Sequence, residues 1–210
     1  MPMNALELFE LSPVMPVIVV RDPDTAVELA RALVAGGVRT LEITLRSAAA
    51  LDAIAAIRDR VPDAVVGVGT VRTPQQLDAA VHAGARFGVS PGLTEDLALA
   101  ARASGIPFLP GVSTASEAMR AAELGFLVQK LFPAEAVGGA ALLKAWHGPL
   151  PDLIFCPTGG IHAGNAARYL ALPNVGCVGG SWLTPAAAVD ARQWDAVTAL
   201  AREACALAAR

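Results

Sequence analysis

A single-domain (β/α)8 barrel with a short N-terminal helix is the fold this sequence predicts, and three observations carry the prediction. Segments of strand and helix character alternate from end to end, in eight β-then-α units of about 20–25 residues. Glycines (Gly36, Gly84, Gly105 and Gly125) end helical patterns shortly before the next strand begins. No G-x-G-x-x-G follows the first strand, which weighs against the alternative of an open doubly wound sheet. Alternating units of this kind imply a parallel sheet with right-handed crossovers, and eight of them suffice for closure.

Taken in order, an amphipathic helix over about 4–11 comes first. Strands follow near 14–20, 40–45, 64–70, 86–90, 107–110, 127–132, 153–158 and 176–180, each with a helical stretch after it. Thr73-Pro74-Gln75-Gln76 reads as a capping box with proline at the first helical position, and Thr114-Ala115-Ser116-Glu117 as another. No Ser/Gly-rich linker interrupts the pattern, so residues 1–210 read as one domain.

Composition removes several function classes. Hydrophobic residues make up 54% of the 210, yet no apolar run approaches the roughly 18 residues of a bilayer span. The longest candidate, VMPVIVV, stops at Arg21-Asp22-Pro23. The N-terminus has no basic region and carries Glu7 and Glu10, so it is not read as a secretory signal. A formal net charge of −3 and the lack of a basic stripe argue against nucleic acid as a partner. Cys156, Cys177 and Cys205 show no CxxC spacing and read as reduced core thiols, which points to a cytoplasmic protein. His82, His147 and His162 do not form a metal-ligand spacing, so no metal site is expected.

In a barrel, chemistry sits at the carboxyl ends of the strands. Period-2 alternation along TLEITLR puts Leu41, Ile43 and Leu45 on one face and Glu42, Thr44 and Arg46 on the other, expected to point inward. The third strand ends at Thr70. The sixth, within LVQKLF, is expected to bury Leu127, Val128, Leu131 and Phe132, with Lys130 on the face of Val128 and Phe132. The pairs Gly159-Gly160 and Gly179-Gly180, the latter followed by Ser181, close the seventh and eighth strands. Glycine lets backbone N–H groups approach an anion, and these two loops are a frequent phosphate site in barrels. The structural alternative is that they only make tight turns.

Only Lys130 and Lys144 are lysines, and Lys144 falls on the solvated face of a helical pattern. A lysine in a buried strand either pairs or gives up its proton. One reading of Lys130 is an ion pair with Glu42 in the interior. The other is a nucleophile whose neutral amine attacks a ketone to form a Schiff base, with Glu42 moving protons. Trp146 and Trp182 read as packing residues.

The segments LVAGGVRTLEITLR, GVGTV, SPGLTEDL, KLFPAE, FCPTGGI and GGSWLTP, in order and over nearly the whole chain, closely resemble the 2-dehydro-3-deoxy-6-phosphogluconate (KDPG) aldolase family of class I aldolases. The resemblance implies Lys130 as the Schiff-base lysine and Glu42 as the general acid/base. It implies Arg46 and Thr70 as binders of the pyruvyl carboxylate, and Gly159, Gly160, Gly180 and Ser181 as a phosphate cradle. Pro91, Phe132 and Thr158 become pocket walls. It further implies a homotrimer, a small phosphorylated sugar-acid substrate, no cofactor, and a second activity on 4-hydroxy-2-oxoglutarate. Two departures stand out. His162 occupies the cap of the seventh helix, where a serine is expected, and should weaken that cap. Leu131 replaces a frequent aromatic but points outward. A phosphate-binding isomerase or synthase with an ion-paired Lys130, and a non-catalytic phosphosugar-binding protein, are the competing readings. The combination of Lys130, Glu42 and Arg46 argues against the last.

Overall fold

Asn4 opens the first helix, α1 (Ala5–Leu11). Its side chain accepts the N–H groups of Leu6 and Glu7, while Glu7 reaches back to the Asn4 N–H, so two otherwise orphaned donors are satisfied reciprocally. The computed structural model describes residues 3–207. Met1 and Pro2, at the start of the stretch read as lacking a secretory signal, and residues 208–210 lie outside the described residues.

Strands and helices then alternate: β1 (Val14–Ile18), α2 (Pro23–Ala35), β2 (Thr40–Thr44), α3 (Ala50–Arg60), β3 (Val65–Gly69), α4 (Pro74–Ala83), β4 (Gly88–Val89), α5 (Glu95–Ala103), β5 (Phe108–Leu109) and β6 (Gly111–Val112). They continue with α6 (Ala115–Glu123), β7 (Val128–Leu131), a 3-10 turn (Glu135–Val137), α7 (Gly139–His147), β8 (Ile154–Phe155), α8 (Ala163–Leu170), β9 (Val178–Gly180), α9 (Ala186–Asp190) and α10 (Trp194–Ala206). Every expected strand has a counterpart. The fifth is divided in two because Pro110, which has no N–H to give the ladder, sits between β5 and β6.

The pairing is parallel throughout. One sheet has six strands in the order β5-β4-β3-β2-β1-β9, the other has three in the order β6-β7-β8. Only Pro110 separates β5 from β6, and its carbonyl accepts the Lys130 N–H at 2.9 Å. Isolated parallel bridges, Phe155 to Val175 and Thr158 to Gly179, link the line of β8 to that of β9. The sheet is strongly curled, since β2 and β7, which are not neighbours, touch through their side chains.

Side-chain alternation then divides the core. Val14, Ile18, Leu41, Ile43, Val66, Val68, Leu131, Phe155 and Val178 face outward and pack with the helices in one apolar cluster. Met15, Val65, Phe87, Val89, Leu109, Val128, Cys156 and Cys177 face inward and form a second, with Leu8 and Phe9 of α1. α1 therefore closes the amino-terminal end of the curl. A methyl group on Gly176, just ahead of β9, would stand 2.9 Å from Phe9 Cε2, and Ser12 Oγ accepts the N–H of Arg39 at 2.8 Å, just ahead of β2.

The helix boundaries follow local chemistry, with two corrections. Thr114 and Glu117 form the expected box. Thr73 caps α4, but the Gln76 side chain accepts the N–H of Arg72 rather than that of Thr73, so the box is half made. His162 does not lack capping ability. Its Nδ1 accepts the Gly164 N–H at 3.1 Å, and Asn165 Oδ1 accepts the His162 N–H at 2.8 Å. Gly84, Gly105 and Gly125 take positive φ after their helices, whereas after α2 that role falls to Gly37. Among the described residues no helix is long and apolar enough to cross a membrane.

Candidate active site

The inner cluster forms an apolar floor, and one level above it the sequence places its charges. Lys130, in the middle of β7, is held on both sides. Its N–H reaches Pro110, and the carbonyl of its neighbour Gln129 accepts the Cys156 N–H at 2.8 Å. Gln129 points outward and gives its amide to the carbonyls of Ala118 and Phe126, tying β7 to α6. Lys130 therefore points inward, as alternation requires. Its Nζ lies 3.4 Å from Glu42 Oε1 and 5.1 Å from the centre of the Phe132 ring.

Lys130 is 6% exposed and Glu42 1%. The two side chains therefore meet shielded from water, where each is the nearest polar partner of the other. Glu42 reaches Lys130 because Gly69 on the adjacent strand has no side chain. A methyl group there would stand 2.5 Å from Glu42 Cγ and 2.7 Å from Cδ. The register pairs Glu42 with Val17 on one side and Gly67 on the other. Thr44, on the same face, is satisfied by the Ile18 carbonyl at 2.8 Å.

The remaining expected residues stand at the carboxyl ends of the strands. Arg46 stands two residues beyond the end of β2. The strand ends at Thr44, and Arg46 lies exposed in the following turn, with no ion-pair or hydrogen-bond partner among the described residues. Thr70 follows β3 with φ of 62°, a left-handed backbone that a β-branched residue adopts only under strain. Pro91 is exposed and lines a cavity of about 460 Å³ with Thr94, Glu117 and Arg120, on the side of α5 and α6. Leu127, expected to be buried, is half exposed because β7 begins one residue later.

Thr158 is buried, and a methyl group on Gly179 would stand 3.0 Å from its Cβ, so the two strands meet closely there. Beyond Thr158 the chain is tied back by its carbonyls. Thr158 O accepts the Ala134 N–H at 2.8 Å, Gly159 O the Glu135 N–H at 3.1 Å, and Gly160 O the Asn165 side chain at 2.9 Å. In a trans peptide the N–H points opposite its carbonyl. The N–H groups of Gly159, Gly160 and Ile161 are accordingly turned away from these anchors, and none has an acceptor among the described residues. Gly159 and Gly160 have φ of 102° and 78°, which glycine adopts freely. Successive free N–H groups of this kind form an anion-binding nest.

Across from it, Ser181 follows β9 and is exposed. It lines a cavity of about 800 Å³ with Arg21, Thr25, Thr184 and Arg192. Neither this cavity nor the one beside Pro91 is lined by Lys130 or Glu42. Among the described residues no group of three or more His, Cys, Asp or Glu side chains is arranged to hold a metal ion.

Two features escaped the sequence reading. Cys156 and Cys177, 21 residues apart, bring their sulfurs to 3.2 Å beneath Lys130, and burial, followed by the neighbouring Cys156, pushes the Cys177 thiol well up. No spacing rule links the two. Glu135 meets the hydroxyl of Tyr169 and lies 2.6 Å from Arg168, both on α8. These two donors, Tyr169 foremost, hold its carboxyl below the usual range, while burial raises the Tyr169 phenol. Its position five residues after Lys130 and beside a glycine pair was the available signal.

The chain matches the family model of KDPG and KHG aldolases over residues 6–200. It is 53% identical over 201 residues to the KHG/KDPG aldolase of Escherichia coli, covering 96% of this chain and 94% of that protein. It superposes with a TM-score of 0.94 and 45% identity on KDPG aldolase from Legionella pneumophila with pyruvate captured as a covalent carbinolamine, over 97% and 98% of the two chains. With the Zymomonas mobilis enzyme bearing 3-phosphoglycerate the TM-score is 0.91 and the identity 46%, over 97% and 96%.

Proposed function

The chain belongs to the KDPG and KHG aldolase family, and from that premise we propose that it is a class I aldolase cleaving 2-dehydro-3-deoxy-6-phosphogluconate to pyruvate and glyceraldehyde 3-phosphate. The observation that carries the reading is the buried amine of Lys130, 3.4 Å from the carboxylate of Glu42 above an apolar floor.

The mechanism follows from that pair. The neutral amine of Lys130 attacks the C2 ketone, giving a carbinolamine that loses water to a protonated imine. Glu42, directly or through a water, takes the proton of the C4 hydroxyl. The C3–C4 bond breaks, its electrons flow into the imine, and glyceraldehyde 3-phosphate departs, leaving an enamine. Protonation at C3 and addition of water release pyruvate and restore the amine. The Legionella carbinolamine with pyruvate is the kind of adduct this sequence of steps passes through.

Arg46 suits the pyruvyl carboxylate through its planar fork of donors, and Thr70 adds a neutral one. Gly159, Gly160, Gly180 and Ser181 take the phosphate, a role supported by the turned-out N–H groups of the 159–161 loop and by the Zymomonas structure with 3-phosphoglycerate. Pro91, Phe132 and Thr158 wall the pocket. Activity on 4-hydroxy-2-oxoglutarate, which has no phosphate, is the second function this reading assigns. The continuity of β5 with β6 and the bridges between the lines of β8 and β9 support a closed eight-stranded (β/α)8 barrel, built as one domain. The resemblance to the family adds a cytoplasmic homotrimer, to be checked by sedimentation.

Reductive trapping tests the reading. Incubation with pyruvate and borohydride, followed by peptide mapping, is expected to give one adduct, on Lys130, and Lys130→Ala is expected to lose both the adduct and cleavage. An adduct on Lys144, or substantial turnover by Lys130→Ala, would remove Lys130 from the mechanism.

A further inference from the structure

We infer that Glu135 is a positioning residue for substrate phosphate, clamping the Gly159–Gly160 loop against α8 so that its N–H groups face the ligand. The inference rests on the phosphate reading of that loop proposed above.

The clamp has three parts. The Glu135 N–H takes the Gly159 carbonyl at 3.1 Å, fixing the peptide that presents the Gly160 N–H. The stem of the side chain fills the space beside Gly160, where an added methyl group would stand 2.7 Å from Glu135 Cγ and 2.8 Å from Cβ. The carboxylate is then held by two donors of α8, the Tyr169 hydroxyl and Arg168 at 2.6 Å. Tyr169 is itself fully buried, so its hydroxyl offers a fixed anchor rather than a mobile one.

The geometry assigns the carboxylate a task other than ligand binding. A free carboxylate near a phosphate would repel it; this one is neutralised by Arg168 and turned toward α8. Asn165, at the start of the same helix, ties the Gly160 carbonyl and the His162 N–H. The loop is thus gripped by Glu135 on one flank and Asn165 on the other. Loosening one grip lets the peptide planes rotate, and the nest loses aim without any contact to Lys130 or Glu42 being touched.

A two-substrate comparison tests this. Glu135→Ala is expected to raise KM for the phosphorylated substrate by about tenfold, the scale of one weakened charge-assisted hydrogen bond. KM for 4-hydroxy-2-oxoglutarate and kcat for both substrates should stay within about twofold of the parent, because uniform binding of the phosphate alone is lost. Tyr169→Phe should move the same ratio in the same direction by less, and Glu135→Gln, which keeps the shape and an acceptor, should recover most of it. Equal losses on both substrates, or an unchanged ratio, overturn the inference. Gly160→Ala and Ser181→Ala separate the two levels of the argument. If they raise the phosphorylated-substrate KM selectively while Glu135→Ala does not, the clamp alone is wrong. If they leave the ratio unchanged, the phosphate reading fails and the clamp falls with it.

Discussion

Gly69→Ala displaces the proposed proton acceptor while leaving both reacting side chains in the sequence. The alanine methyl would stand 2.5 Å from Glu42 Cγ and 2.7 Å from Cδ, and ordinary contact begins at 3.4 Å, so the carboxylate must retreat by about 1 Å. Glu42 is 1% exposed and its Oε1 lies 3.4 Å from Lys130 Nζ, so a displaced carboxylate changes its distance to that amine. Misplacing a catalytic group by about 1 Å costs on the order of a hundredfold, roughly 2.7 kcal/mol of barrier. Overpacking costs about 1–3 kcal/mol of stability besides, within reach of a domain of this size. The assay is kcat for cleavage, followed by coupled detection of pyruvate, with borohydride trapping in parallel. kcat is expected to fall about a hundredfold while pyruvate still labels Lys130. A folded Gly69→Ala protein with kcat within about threefold of the parent would refute the claim that the Glu42 position limits turnover.

Thr70→Gly should relieve the left-handed backbone at φ of 62° and stabilise the protein by about 1 kcal/mol, seen as a rise of roughly 2–4 °C in Tm, while cleavage falls with the lost hydroxyl; a lower Tm would count against stored strain. Burial, and then Cys156, raises the folded-state pKa of Cys177 above its ordinary value of 9.0, so the folded protein holds a proton that the unfolded chain releases. The stability this confers is complete below about pH 9 and is lost as pH rises through the folded-state value, by up to about 1.4 kcal/mol per pH unit. Urea midpoints at pH 8 and 10 should accordingly fall less for Cys177→Ala than for the parent, and parallel declines would contradict the argument. Thr114→Ala removes the acceptor of the Glu117 N–H and should cost about 1 kcal/mol in urea unfolding, with cleavage unchanged.

Much of the architecture was legible because it is written locally. Period-2 alternation put Lys130 and Glu42 on inward faces, and glycine stops with threonine caps marked the helices. The failures lie where tertiary contact decides. The strand expected to run to residue 45 ends at Thr44, so Arg46 stands in a turn whose course the alternation does not describe. Leu127 is apolar like its neighbours, yet it stands just ahead of β7 with its side chain half exposed, although its carbonyl already accepts the Ile154 N–H. Gln76 satisfies Arg72 instead of Thr73 because its side chain reaches one residue further back. His162 caps α8 through a ring nitrogen, a use that a serine-centred rule overlooks. The meeting of Cys156 with Cys177, and of Glu135 with Tyr169, depends on which strands and helices become neighbours. Only the folded chain supplies that.

Helix α1 sets the depth at which the proposed chemistry takes place. With Leu8 and Phe9 seated against the apolar floor, the interior is shut at its lower end, and the amine of Lys130 rises from the bottom of a well. In the proposed mechanism whatever is bonded to that nitrogen lies deepest, and the fragment severed from it lies nearer the mouth, beside the proposed phosphate loop at 159–161. The aldehyde is thus free to leave while the three-carbon half is still tethered, and pyruvate follows last through the space the aldehyde has vacated. In the reverse direction the queue is inverted, and pyruvate must descend before any aldehyde can take the upper place. The covalent bond to Lys130 sets this order in the proposed mechanism, and α1, by closing the amino-terminal end, leaves both products to depart through the carboxyl-terminal mouth.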